Sequence, residues 1–183
     1  MQIIEYQDGH CRCINWELPD TGWENVANFI DLFMDQALCT ILAEYREERV
    51  EWLEINHWPI SGRLMVFPSQ DGPGGNREER LYFELYSQHL QHEFNRISDS
   101  LPEEERDRAL KELCLKVWQR IGDSLRNGQA SQQWTEARKA HRLRLAAFDY
   151  NFGEGPIRLS ELDELAAAEP RRKLDRFDQD YEI

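Results

Sequence analysis

The stretch from Thr21 to about Arg46 constrains the fold more than any other. At helical spacing, Val26, Ala27, Phe29, Ile30, Phe33, Ala37, Leu38, Ile41 and Leu42 form one broad apolar face. Leu32, Met34 and Cys39 carry it almost all the way round, leaving a narrow polar strip of Glu24, Asn28, Asp31 and Asp35. A helix apolar on nearly every side is enclosed by other elements rather than laid on a surface. Asp20 or Thr21 is placed to cap its start, with Glu24 three residues past Thr21 in capping-box register. Its far end, Glu44-Tyr45-Arg46-Glu47-Glu48-Arg49, turns charged and so emerges into water.

The remaining elements follow from local pattern. Residues 2–6 and 10–16 flank Asp8-Gly9, a pair suited to a two-residue hairpin turn. Residues 49–55 satisfy strand and helix periods alike, and a strand or loose turn is the expectation. Residues 63–67 form a short buried strand, followed by the loop Pro68-Ser69-Gln70-Asp71-Gly72-Pro73-Gly74-Gly75-Asn76. Residues 81–86 are expected to pair with 63–67 across that loop and to pass into a helix near Ser87, with Leu90, Phe94 and Ile97 inward. Pro102 and Glu103-Glu104-Glu105 open a long amphipathic helix that stops near Asn127-Gly128. A further helix is expected over 131–148 and a short one over 161–168. The result is an α+β chain, mostly helical, with a small antiparallel sheet packed on a helical layer around the central helix 21–46. With 183 residues it fits one domain, taken as 1–168, with a charged C-terminal tail over 169–183.

Charge narrows the partners. The formal net charge is −13, and it is uneven. From Met1 to His57 a dozen carboxylates stand against Arg12, Arg46 and Arg49, a balance of about −9. Such a field repels phosphates, which argues against nucleic acid, and it attracts a basic protein. No apolar run reaches the roughly 18 residues of a membrane span, because Asp31 and Asp35 interrupt the central helix. No basic and apolar leader opens the chain, so a cytoplasmic location is the expectation. Cys11, Cys13, Cys39 and Cys114 show no disulfide framework, with Cys39 and Cys114 on the apolar faces of their helices.

Few constellations suggest chemistry. His89, His92 and Glu93 share a helical face and offer metal ligands, but their order is not that of the zinc protease motifs. If Leu90, Phe94 and Ile97 face the core, these three point outward; a hydrolase built on them would need a further ligand such as His57, His141 or Asp149. His10-Cys11-Arg12-Cys13 lacks a second ligand pair. The glycine loop lacks the lysine of a phosphate cradle, and Glu78 and Glu79 follow it. No catalytic residue and no cofactor is therefore expected.

The acidic ridge of Glu44, Glu47, Glu48 and Glu51, with Trp52 beside it and Asp71, Glu78 and Glu79 in and after the loop, is the expected partner-binding surface. It suits an inhibitor, such as a bacterial immunity protein or antitoxin that blocks a basic toxin or enzyme. The alternatives are the metal-dependent hydrolase and a regulatory or scaffold subunit that docks its partner on the basic helix 131–148 through Arg138, Arg142 and Arg144. The oligomeric state is left open.

Overall fold

The structure, a computed structural model, describes residues 1–8, 11–45, 50–69, 81–141, 144–149 and 157–159. For 8, 11, 140, 141, 144, 147–149 and 157–159 it describes the backbone alone. In chain order the elements are β1 (Gln2–Asp8), β2 (Cys11–Leu18), α1 (Trp23–Glu44), β3 (Trp52–Trp58), a single 3-10 turn (Pro59–Ser61), β4 (Arg63–Ser69), β5 (Leu81–Ser87), α2 (Gln88–Ser100), α3 (Glu103–Asn127), α4 (Ser131–His141), β6 (Arg144–Asp149) and β7 (Ile157–Leu159). The α+β reading holds.

The described strands make one sheet in the order β1-β2-β5-β4-β3-β6-β7. The expected hairpins form: β1 pairs antiparallel with β2, and β4 with β5 across the glycine loop. The sheet is mixed rather than purely antiparallel, because β2 runs parallel to β5 and β3 parallel to β6. Parallel neighbours need long crossovers, and the helices supply them. α1 carries the chain from β2 to β3, and α2, α3 and α4 carry it from β5 to β6.

α1 is enclosed along one broad face but not all the way round: Leu32 is 40% exposed. Val26, Ile30, Phe33, Met34, Ala37, Leu38 and Ile41 are buried, in one core with Ile14, Trp16 and Leu18 of β2, Leu53 and Ile55 of β3, Leu64 and Val66 of β4, and Leu81, Phe83 and Leu85 of β5. Trp16 meets the Phe33 ring edge-on at 6.0 Å. The helix also packs against α3 and α4, which add Val117, Trp118, Ile121, Leu125 and Ala137. Contrary to the expectation from Asp31 and Asp35, α1 is by length and composition long and apolar enough to cross a membrane; here its buried face packs on the sheet, α3 and α4.

Three features of α1 differ from, or add to, expectation. Neither Asp20 nor Thr21 caps it: the cap position falls on Gly22, at φ 82°, and no side chain bonds there. Asp20 is drawn instead to two histidines of α2. Asp31, in the polar strip, joins α1 to α3: Arg120 Nη2 donates to Asp31 Oδ2 at 2.8 Å and Arg120 Nε donates to the Ala27 carbonyl at 2.9 Å. Cys39 is exposed, whereas Cys114 is buried on α3.

The larger correction concerns 131–148. The helix ends at His141, and Arg144–Asp149 is a strand parallel to β3. What decides the strand is its pairing with β3, in which Leu145 stands opposite Leu53 and Ala147 opposite Ile55, a partner that the helical spacing of 131–148 does not show. A continuous basic helix over 131–148 therefore does not exist. The expected helix 161–168 and the tail 169–183 lie outside the described residues.

Candidate functional site

The topology sorts the connections to two ends of the sheet. β1 ends, β2 begins, β3 begins, β4 ends and β5 begins at the same end, as their registers require. α1 delivers Glu44 to that end, since Glu44 contacts Arg12 at the start of β2. Of the expected partner-binding residues, Glu44, Glu51 and Trp52 are thus gathered there. Glu47, Glu48, Asp71, Glu78 and Glu79 lie outside the described residues.

Arg12 organises this corner. Its Nε donates to Glu5 Oε1 at 2.5 Å, and its Nη1 donates to Glu44. One guanidinium serves two carboxylates, both exposed, so Glu5, Arg12 and Glu44 together keep a net negative charge. Glu51 precedes β3, and its backbone N–H donates to the Ser69 carbonyl at 3.2 Å. Trp52, opposite Ser69 of β4 in the ladder, is half-buried.

At the opposite end lie the histidines. His89 Nδ1 is 2.8 Å from Asp20 Oδ1, and His92 Nδ1 is 2.9 Å from Asp20 Oδ2. An ionised carboxylate only accepts, so both imidazoles donate their Nδ1 protons to it. These bonds hold the Asp20 carboxyl below the ordinary aspartate range, His92 contributing most and His89 next. Glu93 does not join them: it pairs with Arg96 at 2.9 Å, and that hydrogen bond, the largest influence on its carboxyl, lowers its pKa. His57 sits in the core, edge-on to Trp118 at 5.9 Å. The side chains of His141 and Asp149 lie outside the described residues. Among the described residues no group of three or more His, Cys, Asp or Glu side chains is placed to hold a metal ion.

Burial, with Asp35 nearby, pushes the exposed-edge Cys39 thiol upward, which disfavours the thiolate a nucleophile needs. Cys13 is fully buried on β2. Arg138 stacks over Trp134 at 5.7 Å, which commits one of the three arginines of the scaffold alternative to its own helix.

One feature escaped the sequence reading. The sheet face opposite α1 carries a polar row in register: Asn15 of β2 faces Glu84 of β5, Glu84 faces Met65 of β4, and Met65 faces Asn56 of β3. Asn56 is 1% exposed, and among the described residues neither its Oδ1 nor its Nδ2 has a hydrogen-bond partner. Glu84 is buried and pairs with Arg63 at 3.3 Å. Beside this row the Tyr6 and Tyr82 hydroxyls share a 2.6 Å hydrogen bond, and burial raises the Tyr82 phenol far above its ordinary range. Polar residues two apart in β3, Glu54 and Asn56, were the available signal.

No family model matches the chain, and neither curated proteins nor solved structures give a match.

Proposed function

We propose that this chain is a non-catalytic, cytoplasmic protein-binding protein of the inhibitor or immunity type, which engages a basic partner through the acidic end of its sheet. One observation carries the reading: the topology brings Glu44, Glu51 and Trp52, from the end of α1 and the start of β3, to the same end as Glu5 and Arg12. Arg12 offsets only one of the two carboxylates it touches. The net charge of −13 supports it, since complementary fields speed encounter and set specificity. The hydrolase alternative has less support, because Glu93 is held by Arg96 and both histidine Nδ1 atoms are engaged by Asp20.

The test is charge reversal at Glu44, Glu47, Glu48 and Glu51, with affinity for the captured partner measured against the parent. The proposal expects binding to fall by about tenfold or more, mostly in the association rate and most strongly at low salt. Unchanged affinity in a folded variant contradicts it.

A further inference from the structure

We infer that β1 docks an extended, basic strand of a partner protein along its outer edge. β1 is the first strand in the sheet order, with β2 on one side and no described strand on the other. It is seven residues long, in unbroken register with β2 and free of proline. Alternate N–H and C=O groups along its outer side are therefore presented for pairing. Exposed apolar side chains stand on both of its faces: Ile3 is 51% exposed and Tyr6, on the other face, 48%.

The charge at the strand's centre selects the occupant. Glu5 is the middle residue of Gln2–Asp8, and it shares the single Arg12 guanidinium with Glu44. Two carboxylates on one cation leave acceptor sites for a second. An antiparallel incoming strand places one side chain opposite Glu5, and lysine or arginine there completes the pair. Its flanking residues lie opposite Ile4 and Tyr6, and the next lies opposite Ile3, so all three are apolar. The pattern is apolar-basic-apolar-apolar. A second copy of this chain fits badly, because symmetric antiparallel pairing of β1 sets Glu5 opposite Glu5, and like charges directly opposed are unfavourable.

The inference rests on the proposed function only in taking the partner to be basic. The probe is the blocked peptide Thr-Thr-Val-Lys-Val-Ile-Thr, with its lysine opposite Glu5, tested against the full chain by amide hydrogen exchange. One control replaces the lysine with glutamate, and another replaces the isoleucine, which lies opposite Ile3, with proline. The expected result is slowed exchange at alternate amides of β1 with the lysine peptide, none with the proline peptide, and binding about fivefold weaker with the glutamate peptide. Glu5→Lys, checked for intact β1–β2 exchange protection, should reverse that preference. Absence of β1 protection, equal protection by the proline peptide, an unchanged preference in Glu5→Lys, or a β1-mediated homodimer overturns strand docking. If strand docking fails while partner affinity still depends on Glu44 and Glu51, only this inference falls. If β1 docks the peptide while reversal at the acidic end has no effect, the proposed function falls and strand docking stands.

Discussion

His89 Nδ1 donates to Asp20 Oδ1 across 2.8 Å, joining α2 to the segment that leads from β2 into α1. The same carboxylate takes His92 on its other oxygen, so a residue that the sequence offers as a helix cap serves instead as a tie between two layers. α1 starts at Gly22 without a side-chain cap, and its stability comes from burial.

This tie has a pH signature. The Asp20 carboxyl lies below its ordinary value of 3.8. It therefore binds fewer protons folded than unfolded near that value, and its contribution is complete above it and lost as pH falls through the folded pKa. Asp20→Asn should remove this dependence. Thermal melts taken across the acid range should show the variant losing stability less steeply than the parent below about pH 4; parallel curves would contradict the assignment.

Arg120 clamps α3 to α1 through Asp31 and the Ala27 carbonyl. Its removal leaves Asp31, a largely buried carboxylate, beside Asp35, whose own carboxyl is already raised by burial and by Asp31. Arg120→Ala should cost about 1–3 kcal/mol in chemical denaturation. A cost near zero would mean that the pair is solvated in solution.

Gly62 follows the 3-10 turn at φ 63°, where its carbonyl accepts from the Ser87 N–H at 2.9 Å. A methyl group at this position would strike the Ser87 carbonyl and the Gln91 N–H, both backbone groups that cannot step aside. Gly62→Ala should destabilise by more than about 1 kcal/mol, read from the denaturant midpoint.

Asn56 buries an amide with no partner among the described residues, and such a group costs roughly 1–3 kcal/mol. Asn56→Leu, close in shape, should be neutral or stabilising by about that much. Clear destabilisation would mean that the amide is bonded in solution.

Much of the fold was legible because burial writes itself into periodicity. The apolar round of α1, the hairpin of β4 and β5 across the glycine loop, and the start of α2 at Ser87, whose Oγ accepts from the Leu90 N–H at 3.3 Å, all follow from pattern. What was not legible depends on partners distant in sequence. β6 alternates over only a few residues after a true helix, and only its parallel ladder with β3 decides it. Asp20 is a plausible cap until α2 competes for it. The candidate site divides in the same way: Glu44, Glu51 and Trp52 are offered by charge and aromatic content, whereas the position of Arg12 between Glu5 and Glu44, and the row through Asn15, Glu84 and Asn56, arise from strand register.

The most direct test of the binding account is capture of partners by the tagged chain at low and high salt, followed by the same capture with Glu44 and Glu51 reversed to lysine. The account predicts one stoichiometric basic protein, held at low salt, weakened at high salt and weakened again by the reversal. A partner that is acidic or neutral, or one indifferent to both salt and reversal, would contradict it.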